Sequence, residues 1–490
     1  MPDSPTPPDP SHRPAPDWDA FADWGRRIAD WGADSHRSLR DRPVRAPLAP
    51  GRLRAALPAA PPETGEPLAA IWADLERHVM PGLTHWQHPR FFAYFPANAA
   101  PPSILAEFVT AILAPQCMLW QTSPAATELE SHVLDWLRQA LGLPDAFQGV
   151  IQDSASSATL AAVLVMRERA LNWQGNAQGL AGQGRLRLYA TAEAHSSVER
   201  AAWIAGIGGA NLVRLPGKGA RRSADPDDLR AAIAADREAG LIPAGLIACT
   251  GATGTGACDD LHPLIAVARD AGLYTHVDAA WAGSAMICPE FRDLWQGVEQ
   301  ADSVVINPHK WLGAQFDCAA HYLRAPDDLV RTLAIRPEYL KTHGAGGVID
   351  YSEWSVPLGR RFRALKLWFV LRFYGLDGLR AMIRDHVRWA GALADRMRAD
   401  PRFQIVTDPV LSLFTFRLAG AGDDTQIAWL SRINDDGRIY LTQTRVDGRM
   451  ALRFQVGAFA ATEADVRLAG DVLAELAPDR GAGAGGMAGG

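Results

Sequence analysis

From about residue 101 to 366 the chain alternates short apolar runs, GVIQ, LRLYA, NLVRL, GLIACT, LYTHV and SVVIN, with helix-like stretches such as DPDDLRAAIAADREAG. That alternation predicts a parallel α/β sheet, since each parallel strand reaches the next through a helical crossover. At 490 residues the chain exceeds a single core, and two or three packed units are expected. Before the alternating region, residues 17–100 carry amphipathic segments such as WDAFADWGRRIADW and EPLAAIWADLERHVM between proline-rich links, which reads as a helical arm that needs a partner surface. After it, residues 367–478 combine two long helical patterns with FQIV, LSLFTFRL and MALRFQVG, a smaller α+β unit. Residues 1–16 and 479–490 have no periodic apolar face and read as flexible ends. No internal repeat is present, and AGIGGAN (205–211) follows no strand and reads as a connecting turn.

Composition narrows the ligand. Lys and Arg total 49 against 55 Asp and Glu, a net charge of −6, and no basic block of the kind that tracks a phosphate backbone occurs, so no nucleic-acid or membrane partner is expected. Cys117, Cys249, Cys258, Cys288 and Cys318 are odd in number and scattered, without zinc-site or disulfide spacing, which fits a reducing cytoplasm. The opening MPDSPTPPDPSHRPA has no apolar core of a secretory signal. The uncharged stretch GLIPAGLIACTGATGTGAC (240–258) carries proline, glycines and threonines that suit a buried strand and loop rather than a membrane span. A small-molecule ligand remains.

In an open parallel sheet, ligands bind beyond the carboxyl ends of the strands, so the residues after each apolar run carry the information. GVIQ leads to Ser154, Ala155 and Ser156 at the start of a strong helix, an anion cradle or an ordinary N-cap. LRLYA leads to His195, a hydrogen-bonding or a reacting imidazole. GLIACT leads to a loop with Thr250 and Thr253, which line a site or satisfy a turn. LYTHV ends on Asp278, a carboxylate at a strand end or a helix cap. SVVIN leads to PHKW and Lys310. The chain holds only Lys218, Lys310, Lys341 and Lys366 and otherwise uses arginine, so an amine at this position is a choice. An amine can lose its proton and form a Schiff base with an aldehyde; a guanidinium cannot. Taken together, a cradle for phosphate, an imidazole, a hydroxyl, a carboxylate to protonate a pyridine nitrogen and an amine match pyridoxal 5′-phosphate.

The motifs NPHKWL, HVDAAWAGSA, AHSSVERA, QTSPAATELE, HPRFFAYFP and PLGRRFRALKLWFVLR resemble the aromatic-L-amino-acid decarboxylases, group II pyridoxal-phosphate decarboxylases, over residues 17–475. The resemblance implies the aspartate aminotransferase-like fold (fold type I), with an N-terminal helical arm packed on the partner of a homodimer and a small C-terminal α+β domain. It implies Lys310 as the cofactor-bearing amine, Asp278 as the pyridinium partner and His195 over the cofactor ring. Ala155 and Ser156 would hold the phosphate with Asn307 and His309 beside them, and Thr253 and Ala280 would flank the ring. Tyr339, in the glycine-containing segment RPEYLKTHGAGGVIDYSEW, corresponds to a catalytic lid tyrosine and would be the proton donor.

By the same resemblance, the substrate pocket would use Trp86, Tyr94, Phe95, Pro96, Phe316 and Gly359. Ala97 stands where a hydroxyl-bearing residue often contacts a catechol, Met118 where an aromatic is common and Trp281 where tyrosine is usual, so catechol preference does not carry over. Gly359 matches the glycine of plant members with indole substrates. The expectation is decarboxylation of an aromatic L-amino acid, of the tryptophan, DOPA, tyrosine or phenylalanine class, to amine and carbon dioxide. The alternatives on this scaffold are decarboxylation of glutamate, cysteine sulfinate or histidine, or aldehyde synthesis. Aromatic surroundings without a basic group argue against a distal-acid substrate, and an aminotransferase would need an arginine to clamp the α-carboxylate.

Overall fold

A computed structural model describes residues 17–335 and 347–478. Of these, residues 17–42 form a unit of their own. Its helix, Trp18–Arg37, is capped by Asp17, whose carboxylate accepts the Ala20 N–H at 2.9 Å, and it exposes Trp18, Phe21, Ile28 and Trp31.

From Pro43 onward the chain builds a seven-stranded sheet from β1 (Gln148–Gln152), β2 (Leu186–Thr191), β3 (Leu212–Leu215), β4 (Ile242–Cys249), β5 (Tyr274–Asp278), β6 (Ser303–Ile306) and β7 (Ala319–Leu323). Their spatial order is β1-β7-β6-β5-β4-β2-β3. All pairs are parallel except those made by β7, which runs antiparallel to both β1 and β6. The six apolar runs of the sequence are therefore β1 to β6, and all six point the same way. Every residue of β5 and β6 is buried, as expected for central parallel strands covered on both faces. The stretch 240–258 becomes β4 and its following loop, and no helix among the described residues is long and apolar enough to cross a membrane. All five cysteines are buried and unpaired.

One face of the sheet packs helix Pro124–Leu141 and the buried indoles of Trp281, Trp295 and Trp311. The other packs helices Ala155–Ala170 and Ser196–Ile204 through residues such as Val163, Val198, Leu188 and Ile247. Residue 366 lies inside the long helix Ala364–Ala399, which kinks at Gly375 (φ 62°, ψ 171°). Beyond the kink its Ala390, Leu393 and Met397 join a separate core under an antiparallel sheet of β8 (Phe403–Val410), β9 (Leu413–Leu418), β10 (Thr442–Val446) and β11 (Arg449–Gln455), ordered β8-β9-β11-β10. Helix Glu463–Glu475 closes this unit and opens with a capping box between Thr462 and Asp465.

Candidate active site

The register of the parallel strands brings the polar strand ends to one edge. Cys249 of β4 pairs with Asp278 of β5, which pairs with Val305 of β6. Beyond β1, Ser154 caps helix Ala155–Ala170, its Oγ accepting the Ser157 N–H at 3.2 Å, so the partial positive end of a sixteen-residue helix faces the same edge. Beyond β2, His195 caps the next helix: its Nδ1 accepts the Ser197 N–H at 3.2 Å and meets Ser197 Oγ at 2.9 Å. Beyond β6, Asn307 takes the extended conformation that a residue before proline requires, and Pro308 opens the single turn Pro308–Trp311 that carries Lys310.

These ends surround one cavity of about 250 Å³. Ala155 and Ser156 line it at the helix terminus; His195, Asp278 and Lys310 line it with Thr253 and Ala280; Asn307 and His309 complete the wall. Gly251 also lines it at φ 79°, where an added Cβ would come 2.4 Å from Ala282 Cβ, so only glycine lets the loop after β4 pass this close. Ser154 of the cradle and Trp281 line it as well, and Ser197, Cys249 and Ala252 belong to the lining without having been expected there.

The charges act on one another across this space. Burial pushes the Lys310 amine down to about 8; Asp278 opposes that shift and Arg453 adds to it. His195 is lowered, chiefly by burial, with Asp278 raising and Lys310 lowering it. His309 is pushed down to about 3 by burial and by Lys310, and its Nδ1 accepts the Cys318 N–H at 2.9 Å, which holds the ring neutral with its proton on Nε2. Asp278 accepts the Ala280 N–H at 3.1 Å.

Phe95 forms the apolar floor. Its ring stacks on Trp281 at 4.6 Å, Trp281 stacks on Trp311 at 5.0 Å, and Lys310 Nζ lies 5.0 Å from the Phe95 centroid. Tyr94 has φ 46°, a left-handed conformation that a tyrosine adopts only under constraint, and it sends Tyr94 outward while Phe95 turns in. Arg453 supplies that constraint: its guanidinium donates to the Tyr94 carbonyl and, through Nε, to the Thr253 carbonyl at 2.6 Å. Arg453 is buried, lies 4.5 Å from the Phe95 centroid, is pushed down to about 9 by burial, and keeps Nη2 without a partner among the described residues. Sequence reasoning placed only aromatics here; the structure adds a buried arginine from β11, a residue no strand-end pattern could have singled out.

Of the residues expected to contact substrate, only Phe95 lines this cavity. Trp86 and Tyr94, both exposed, stack on each other at 5.9 Å and pack against the buried Phe91 and the half-buried Tyr440. Pro96 is buried beside Gly457, Phe316 meets the His309 ring edge-on at 4.9 Å with its own side chain largely exposed, and Gly359 lines a separate groove, where an added Cβ would come 3.3 Å from Gln116 Nε2. Tyr339 lies outside the described residues.

The donor set suits pyridoxal 5′-phosphate: a helix terminus for a dianion, a carboxylate for a pyridinium, an amine near neutrality and the buried Asn307 Oδ1, which has no partner among the described residues. The pyridoxal-dependent decarboxylase conserved domain matches residues 50–419. The chain is 41% identical to the aromatic-L-amino-acid decarboxylase of Mus musculus over 92% of this chain and 96% of the mouse protein. It is 38% identical to the phenylacetaldehyde synthase of Arabidopsis thaliana over 94% and 96% of the two chains. A crystal structure of Oryza sativa TDC with PLP and tryptamine superposes with a TM-score of 0.91 at 36% identity, covering 95% of this chain and 99% of that one.

Proposed function

The chain belongs to the pyridoxal-dependent decarboxylase family, and on that basis we propose that it is a pyridoxal 5′-phosphate-dependent carboxy-lyase that converts an aromatic L-amino acid to its amine and carbon dioxide. The observation that carries the reading is the single cavity in which Lys310, Asp278 and His195 meet the terminus of helix Ala155–Ala170 over the Phe95 and Trp281 rings.

Pyridoxal 5′-phosphate, when bound, supplies an aldehyde for an amine and a ring that accepts the electron pair left behind as carbon dioxide departs. The protein's groups divide the rest of the work. Ala155 and Ser156 would hold the phosphate, with the amides of the first helical turn as donors. Asp278 would hold a proton on the pyridine nitrogen. Lys310 is the amine, and its lowered pKa keeps a sizeable neutral fraction near pH 7 to 8. His195 would position the ring. Phe95 and Trp281 exclude water from the place where the substrate carboxylate is lost, so the charge that disappears on reaction is poorly solvated beforehand. Tyr339 is the proton donor to Cα.

Gly359 and the small Ala97 lean the preference towards indole substrates. We place the enzyme in the cytoplasm and assign it as a homodimer. Helix Pro101–Leu113 supports the dimer, since it exposes Ile104, Leu105, Phe108, Val109, Ile112 and Leu113 along one run of turns. Turnover on tryptophan, DOPA, tyrosine, phenylalanine, histidine and glutamate, with amine, aldehyde and oxygen followed together, tests the reading. Amine from an aromatic substrate is expected; preferential turnover of glutamate, or aldehyde with oxygen uptake, overturns it.

A further inference from the structure

The segment carrying Phe95 continues into Pro96, Ala97 and Asn98, and runs between the Lys310 turn and the strand end of the small sheet. Asn98 is 1% exposed, and its backbone N–H and both polar atoms of its side chain are engaged. Its backbone N–H donates to the His309 carbonyl at 3.1 Å. Its side-chain Nδ2 donates one hydrogen to the Lys310 carbonyl at 2.7 Å and the other to the Gly457 carbonyl at 2.8 Å, while Oδ1 accepts the Phe459 N–H at 2.8 Å. Two residues on, the Ala100 N–H donates to the Gly313 carbonyl at 2.9 Å. Gly313 has φ 81°, and a Cβ there would come 2.6 Å from the Phe459 ring, so the end of the lysine turn and the segment after β11 are in close contact as well.

A helix of one turn cannot satisfy its own last carbonyls. Those of His309 and Lys310 are taken by the backbone and side chain of one residue, Asn98. Three positions earlier the same segment places the Phe95 ring 5.0 Å from Lys310 Nζ. Lys310 is thus held at both ends by residues 95–98, which are tied in turn to the small sheet. We propose that Asn98 is a positioning residue for the Lys310 amine, fixing its backbone so that Nζ keeps its place among the charges of the cavity. The charged and titratable groups around it come from four elements: Asp278 at the end of β5, Cys249 at the end of β4, His195 on its helix and Arg453 on β11, with His309 next in the chain. A shift of the turn changes the distance to all of them at once.

The inference rests on Lys310 being the cofactor-bearing amine. The test uses cofactor-free full-length protein, labelled with formaldehyde and cyanoborohydride across pH and read at the Lys310 peptide. In Asn98→Ala the pH midpoint for labelling Lys310 should move up towards the ordinary lysine value as the amine gains solvent. In the reconstituted enzyme kcat should fall about 10- to 100-fold with KM little changed, the loss expected of a misplaced reacting group. Gln426→Ala serves as the control. Gln426 is equally buried and bonds both polar groups of Leu418 in the small sheet, away from the lysine turn, so its loss should lower Tm without moving the midpoint. An Asn98→Ala protein whose midpoint and kcat stay at wild-type values while Tm falls as in the control overturns the proposal. Should the alanine variant not fold, Asn98→Ser, which keeps one donor, must show the same two changes or the proposal fails. Borohydride trapping in the wild type separates the two ideas: cofactor fixed on another lysine defeats the Lys310 assignment, whereas cofactor on Lys310 with an unmoved midpoint in the variant defeats only the role of Asn98.

Discussion

At the carboxyl edge of the large sheet, His195 titrates in the presence of Asp278 and Lys310, across a cavity. In the middle of the same sheet, His276 of β5 and His321 of β7 meet at 5.6 Å with their rings at right angles. His276 is served by Ser303 Oγ at 2.8 Å and Thr159 Oγ1 at 3.4 Å, whereas neither ring nitrogen of His321 has a partner among the described residues. All three imidazoles are lowered by burial. A lowered pKa therefore does not mark the reacting site in this protein. What marks it is the presence of opposed charges that can trade protons with a ligand, Asp278 on one side and Lys310 on the other. The mid-sheet pair has only desolvation and mutual repulsion acting on it, which makes it a stability element.

The comparison breaks first at Lys310. Lys310→Ala should lower decarboxylation by more than about a thousandfold and abolish borohydride-stable attachment of the cofactor, whereas His321→Phe should leave both within a few-fold. Capture of pyridoxal 5′-phosphate by the cofactor-free wild type should speed up as pH rises towards about 8 and level off above it, since only the neutral amine attacks an aldehyde. A stopped-flow pH series on the absorbance change reads this directly; a midpoint near the ordinary lysine value would mean that burial does not set the reactivity.

Asp278→Ala should retain cofactor on Lys310 but lose about 100-fold or more in kcat, because the carboxylate that keeps the ring nitrogen protonated is gone. Unchanged turnover would reduce Asp278 to the cap of the Ala280 N–H.

The mid-sheet pair should answer in stability instead. His321 titrates near its ordinary value of 6.5 when unfolded and at about 3 when folded, so stability is complete above pH 6.5 and is lost as the pH falls from there towards 3. The slope from this one group is about 1.4 kcal/mol per pH unit in that window. Urea unfolding of His321→Phe between pH 7 and 4 should show a flatter acid limb than wild type, and parallel curves would remove His321 from the account.

The smallest effect belongs to Gly359, in the groove beside Gln116. Gly359→Ser adds a hydroxymethyl next to Gln116, whose amide Oε1 already accepts the Arg360 N–H at 2.7 Å, and the neighbour must give by only a few tenths of an ångström. The ratio of tryptophan to tyrosine kcat/KM should fall by about tenfold or less, a difference on the order of 1 kcal/mol. An unchanged ratio would detach the indole preference from this position.

Much of this molecule was legible because period and direction are local properties. Strand, turn and helix start follow from a few neighbouring residues, so the apolar runs ending at Gln152, Cys249, Asp278 and Ile306 and the caps at Ser154 and His195 could be read without a fold. Once those strands are parallel, their ends must share an edge, and Ala155, Ser156, His195, Asp278, Asn307 and Lys310 come together with no further information. The site's other half escaped for the complementary reason. Arg453 and Asn98 lie on no strand end of the large sheet, and nothing in RFQVG or PANAA distinguishes a guanidinium that braces Tyr94 or an amide that grips Lys310. The spread of the expected substrate residues, with Phe95 in the cavity and Trp86, Phe316 and Gly359 outside its lining, has the same origin.

By itself the sequence determined the parallel sheet, the order of chemistry along its edge and the amine at its centre, because each is written in residues within one turn or strand of one another. Only the tertiary structure decided which way Phe95 faces, what charge stands beside Lys310 and how its turn is held. Those depend on contacts between segments 212 and 359 positions apart, Asn98 with Lys310 and Asn98 with Gly457, whose meeting is set by how two sheets pack.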